Sequence, residues 1–187
     1  MIEIPFNSDD IRAALVMAKE LGQLKDSITK GKGNAAGYLG EISIANYIKA
    51  NIVSCEVGRA KYDRDLIKYK GESERSFEVK TKRRSVSPKL NYDASVAKTS
   101  KHQNPDYYLF LSIYFKWFKG APPNRTYFRP LSIWFCGFIE RDEYFKKAKL
   151  WKEGDVDESN DFKTKVDMYN VPYSELIDPK DFFNIFK

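Results

Sequence analysis

Two long apolar runs in the second half of the chain limit what it can fold into. "YYLFLSIYFKWF" (107–118) and "TYFRPLSIWFCGFI" (126–139) flank "KGAPPNRT", where Gly, Pro-Pro and Asn signal a turn. Aromatic and β-branched residues in this density suit strands, and aromatics dominate buried area, so the pair reads as core sheet rather than as a docking surface. With 187 residues, 42% of them hydrophobic, the chain can bury one sizeable core and is expected to form a globule rather than a disordered coil. Lys116 interrupts the first run, which falls well short of the ~20 apolar residues of a membrane helix. The start, "MIEIPFNSDD", lacks the basic and apolar regions of a signal peptide. Cys55 and Cys136 are isolated and flanked by apolar or strand-like residues, as reduced core thiols are. The expectation is an intracellular protein with no membrane partner.

Elsewhere the periodicities alternate between helix and strand. A helix is expected over 8–25, capped by Ser8 or Asp9, with Ile11, Ala14, Leu15, Ala18 and Leu21 at helical spacing. A second, capped by Asn34, is expected to reach about residue 50. Strands are expected over 52–57, 64–69 and 76–82, and short helices over 93–102 and 141–150. "YNVPYSEL" (169–176) reads as an extended piece entering a final turn or helix. With no internal repeat or linker, the economical reading is one α/β domain over 1–187.

The chemistry is bounded by what is scarce. One histidine, His102, leaves no pair for a histidine-based zinc site, and "GKGNAAGYLG" (31–40) lacks the spacing of a phosphate-binding loop. Hydrolysis by this chain would have to run on carboxylates, lysine and a metal. An acid, any residue, then lysine occurs three times: "EVK" (78–80), "DFK" (161–163) and "DPK" (178–180). Only the first lies in a strand signal, "FEVKTKRR" (77–84), which places Glu78, Lys80 and Lys82 on one face. It also opens the most basic stretch, where Lys80, Lys82, Arg83, Arg84, Lys89, Lys98 and Lys101 face only Glu78 and Asp93, within a chain of net charge +6. Such a stretch suits nucleic-acid phosphates, whose neutralisation releases counterions. In the second helix Gly37, Glu41, Ile44, Ala45 and Ile48 fall on one side, with Glu41 near its centre, and an acid in an apolar stripe tends to mark function. Asp65, in "YDRDLI" (62–67), begins a strand that can pair with the one carrying Glu78.

A helix with "GYLGE", a strand with "RDLI" and a strand with "FEVK", in that order, resemble the PD-(D/E)XK nuclease superfamily over roughly 34–118. The segment 119–187 would then be an elaboration, and "IWFCGFIERDEYFKKA" is similar to the strand-and-helix tail of phage relatives. The resemblance implies an α/β, restriction-endonuclease-like core: a central mixed β-sheet flanked by helices. It implies a metal-dependent DNA endonuclease, with a non-catalytic nucleic-acid-binding module as the alternative. Asp65 and Glu78 correspond to the metal-binding acids, Lys80 to the lysine and Glu41 to the helical glutamate. Arg64 stands where a proline is common, and Asp63 remains a rival to Asp65. Oxygen ligands from Asp65, Glu78, Glu41 and the Val79 carbonyl suit Mg²⁺, with Mn²⁺ as a substitute. Lys82, Arg83, Arg84, Lys89, Lys98 and Lys101 would grip DNA. Nucleases that cut both strands often pair, so a homodimer stands beside a monomer as an open option, and a phage-encoded protein in the host cell is one intracellular setting compatible with the resemblance.

Overall fold

The computed structural model describes residues 1–22, 33–51, 55–58, 65–69, 74–101, 103–119, 126–157 and 162–186. Strand β1 (Ile2–Ile4) leads into helix α1 (Ser8–Leu21), whose start is fixed by Asn7 rather than Ser8 or Asp9. The Asn7 side chain accepts from the Asp9 and Asp10 amides at 2.7 and 3.1 Å, and Asp10 Oδ2 accepts from the Asn7 amide at 2.9 Å. The helix stops at Gly22 (φ 66°), short of residue 25. Helix α2 (Asn34–Asn51) matches the expected span, and Asn46 donates to the buried Asp10 at 2.9 Å, tying the two helices together.

Strands β2 (Cys55–Gly58), β3 (Asp65–Tyr69) and β4 (Glu74–Arg84) follow as an antiparallel series. The segment expected to be a helix over 93–102 is instead strand β5 (Asp93–Ala97) with a 3-10 turn (Lys98–Ser100). Its burial alternates, with Ala94 and Val96 inward, the period of a strand rather than a helix. Strands β6 (Tyr107–Lys119) and β7 (Thr126–Glu140) form the long aromatic pair. After them come α3 (Arg141–Lys147), β8 (Lys149–Trp151), β9 (Val156–Asp157), β10 (Phe162–Lys163), β11 (Met168–Pro172) and 3-10 segments at Tyr173–Glu175 and Pro179–Phe186. The expected helix over 141–150 is cut short because residues 149–151 pair with β11.

The main sheet runs β1-β7-β6-β4-β3-β2, antiparallel throughout except for the parallel β4–β6 pair. A second sheet runs β5-β11-β8, and β9 pairs with β10. The fold is thus mixed α/β around a mixed sheet. Strand β6 is buried on both faces, which explains its nearly unbroken apolar run. Leu109, Leu111 and Ile113 enter a core with Leu39, Ile44, Ile48 and Phe182 under α2. Tyr108 and Phe110 enter a second core with Ala94, Val96, Val171, Tyr144 and Cys136 under the smaller sheet. These strands are core, as expected, and so is the free thiol of Cys136, whose pKa burial pushes up to about 12. Among the described residues no helix is long and apolar enough to cross a membrane.

Candidate functional site

Strand β4 organises the site because its two faces differ. Phe77 and Val79 belong to the core under α2, while Glu78, Lys80, Lys82 and Arg84 point the other way. The alternation expected from "FEVKTKRR" is therefore present. Lys80 Nζ lies 2.8 Å from Glu78 Oε1, and Gln103 closes a triangle by accepting from Lys80 at 3.0 Å and donating to Glu78 Oε1 at 3.1 Å. Both side chains are sheltered, 21% exposed for Lys80 and 16% for Glu78, so the pair is not one of the solvated surface bridges that contribute little. Every contact falls on Oε1. Among the described residues Oε2 makes no hydrogen bond and is the oxygen that a cation could take.

Among the described residues β4 is flanked by β3 on one side up to this point and by β6 on the other side from it onward, which makes the β3–β4 fork of the described sheet. Strand β3 pairs with β4 from Lys68–Glu74 to Asp65–Phe77, whereas β6 accompanies β4 from Phe77 to Arg84. Glu78 is thus the first residue of β4 beyond the described β3 ladder. Asp65 begins β3 opposite Phe77, one residue short of Glu78. Directly opposed positions of an antiparallel pair share a face, so the register assigns position 65 to the Phe77 face and not to that of Glu78. The two strands do pair, as expected, and Asp65 and Glu78 adjoin across the fork, one pleat step apart. Asp63 lies outside the described residues, as does His102.

Helix α2 crosses β4 next to this fork. A Cβ on Gly40 would come within 2.0 Å of Thr81 Oγ1, so glycine is what permits the close approach. Its neighbour Glu41 is half-buried at the edge of the packed surface, not at its centre. The buried positions of α2 (Ala36, Leu39, Gly40, Ile42, Ser43, Ile44, Ala45, Ile48) cover more of the helix than the single stripe expected. Gly37 has open space where its side chain would be.

The basic residues do not form one track. Arg83 shares the α2-facing side of β4 and sits 5.8 Å from the Phe115 ring, while Lys82 and Arg84 project to the opposite side. Lys82 Nζ donates to the Asp93 carbonyl at 3.0 Å and to Ser95 Oγ at 2.6 Å. Arg84 stacks 4.2 Å from the Tyr92 ring. Lys98 pairs with Asp167 at 3.1 Å, Lys101 lies 5.3 Å from both the Phe145 and Tyr169 rings, and Lys89 is exposed. Removing Lys82, Arg83 and Arg84 together would therefore loosen β5 as well as any grip on DNA. Of the other two tripeptides, Asp178 and Lys180 of "DPK" are exposed at the start of the 3-10 segment, and Lys163 of "DFK" is exposed in the minor β9–β10 pair.

Three residues near the site carry no tripeptide or charge-run signal. Gln103 bridges the pair, and its carbonyl is held by Arg141 Nε at 3.2 Å. Asp106 accepts from the amide and hydroxyl of Ser76 at 2.7 and 2.8 Å, pinning the start of β6 to β4 two residues before Glu78. Tyr108 stands opposite Glu78 in the parallel ladder. Its hydroxyl is buried without a hydrogen-bond partner, and burial pushes its pKa up to about 12, Arg141 opposing and Glu78 adding to the rise. Only knowledge of the parallel β4–β6 pairing would have drawn Tyr108 to notice.

Among the described residues no three His, Cys, Asp or Glu side chains gather as a metal shell. Comparison with protein-family models, curated proteins and solved structures finds no match for this chain.

Proposed function

We propose that the chain is a metal-dependent DNA nuclease with a restriction-endonuclease-like core, working at the β3–β4 fork. The observation that carries the reading is the fork itself. An acid begins β3, an acid and a lysine follow on β4 just past the last described β3–β4 pair, and the helix with Glu41 packs across the other face of the same strand. The strand over 107–119 joins the sheet beside "EVK" and runs parallel to it.

The donor set fits a hard cation. Glu78 Oε2 and the Val79 carbonyl are oxygens at the fork, and Asp65 adjoins them by register. Mg²⁺ or Mn²⁺, when bound, supplies a lowered water pKa and relief of charge on the phosphate. Glu78 would hold the ion from its own face and Asp65 from the α2 side, across the single pleat step between them, with Glu41 on that same α2 side. Lys80, kept in place by Gln103, can turn its ammonium from Glu78 to a phosphate oxygen or to the attacking water. Arg141 holds the Gln103 backbone and so fixes where that ammonium begins.

Cleavage of circular, linear and branched DNA is expected in Mg²⁺ or Mn²⁺, with Ca²⁺ supporting binding but little turnover. Full activity in excess chelator would overturn the proposal. Binding without cleavage in any of these ions would leave the non-catalytic module.

A further inference from the structure

The smaller sheet has one face that its own core does not use. Ala94, Val96 and Val171 turn inward to the second core, so register places Asp93, Ser95, Met168, Asn170 and Trp151 on the opposite face. That face, closed by 82–86 of the β4 end, lines a pocket of about 480 Å³. Lys82 and Arg84 supply positive charge, and Tyr92 and the half-buried Trp151 supply ring faces. Lys149, exposed and on the same face by register, sits 4.6 Å from the Trp151 ring. Arg84 Nε is buried with no hydrogen-bond partner, an unspent donor in the wall of this pocket.

Aromatic faces beside cations are what single-stranded nucleic acid needs: bases stack on the rings while phosphates meet the charges. A double helix, about 20 Å across, does not enter a hollow of this size, whereas one nucleotide does. A smaller hollow of about 230 Å³ includes Lys80, Lys82 and Ser95, so Lys82 belongs to both and links the pocket to the Glu78–Lys80 pair. Along β4, Lys80 and Arg84 are roughly 13 Å apart. We infer that this pocket is a single-strand subsite that stacks an unpaired DNA nucleotide on Trp151 beside the reacting centre. Its role as a substrate subsite rests on the nuclease reading, but its capacity to bind does not.

The test is therefore run in chelator, where cleavage plays no part. A fluorescein-labelled ten-nucleotide oligothymidylate, followed by anisotropy and tryptophan emission, is expected to bind more tightly than a blunt duplex of equal length and to quench Trp151. Trp151→Phe should retain most of the affinity but lose most of the quench. Trp151→Ala should weaken binding about tenfold. Should Trp151→Ala fail to fold, Lys149→Glu, an exposed change, should still weaken the single strand several-fold and flatten its salt dependence. Equal or tighter duplex binding would overturn the inference, as would wild-type affinity in Lys149→Glu or in folded Trp151→Ala. Full quenching by millimolar inorganic phosphate alone would reduce the pocket to an anion site and overturn it too. A chain that binds the strand in this way yet cuts nothing in Mg²⁺ refutes the nuclease reading and leaves the pocket standing.

Discussion

Replacing Lys80 with alanine is expected to lower metal-dependent cleavage roughly 100- to 1,000-fold while DNA affinity stays within a few-fold of wild type. The ammonium lies 2.8 Å from Glu78 and 3.0 Å from Gln103, a sheltered position that holds it ready for a phosphate without making it a main source of affinity. Its removal leaves Glu78 the Gln103 hydrogen bond, so the sheltered carboxylate keeps a partner. Thermal melts should show a modest loss of stability, far from unfolding at assay temperature. Single-turnover cleavage and filter binding on the same preparation separate the two effects. Wild-type cleavage by Lys80→Ala would remove the lysine from the chemistry.

Gly40→Ala is the second large effect, and here it falls on stability. In an exposed helix the change would stabilise by up to about 1 kcal/mol. At this position the new methyl meets Thr81 Oγ1 at 2.0 Å, Cγ2 at 3.0 Å and Cβ at 3.1 Å. Rotating the threonine moves only the first two, so α2 and β4 must separate slightly. Overpacking of this kind costs about 1–3 kcal/mol and outweighs the gain in helix propensity. Thr81→Ala removes the two rotatable atoms, and Thr81 Oγ1 is buried with no hydrogen-bond partner to lose. The double variant should therefore recover more than half of the loss, a favourable coupling that denaturant titrations of the four proteins measure directly. Gly40→Ala as stable as wild type would mean that α2 does not rest on β4 at this point.

Much of the framework is legible from residue order. The apolar pair β6–β7, the helix over 34–51 and the alternation of β4 announce themselves by period, because each is decided by neighbours within a few residues. Strand β5 does not. "DASVAKTSKH" offers an aspartate cap and spaced alanines, and what makes it a strand is β11, about 75 residues further on, pairing Ser95 with Asn170. That one omission also hides the partners of the cations. Residue order shows Lys82 and Arg84 only as a charge run, whereas β5 brings the Asp93 carbonyl within reach of both and Ser95 within reach of Lys82. Glu41 is misplaced for a related reason. A single stripe assumes one packing partner, whereas α2 packs against α1 and the main sheet, which widens its buried surface and moves Glu41 to the edge. The site itself is half legible: "EVK" can be read from the strand, but Gln103 closes the triangle from across a crossover that no local pattern specifies.

Titrating Mn²⁺ into the DNA-free protein, by isothermal calorimetry or by loss of the free-ion electron spin resonance signal, measures most directly whether β3 and β4 share a metal. Wild type should bind saturably. Glu78→Gln and Asp65→Asn should each weaken binding at least tenfold, because each removes a charged oxygen ligand from the fork. Lys80→Ala, which removes a competing positive charge from Glu78, should bind as well as wild type or better. Mn²⁺ affinity unchanged in both Glu78→Gln and Asp65→Asn would contradict a metal site at the fork.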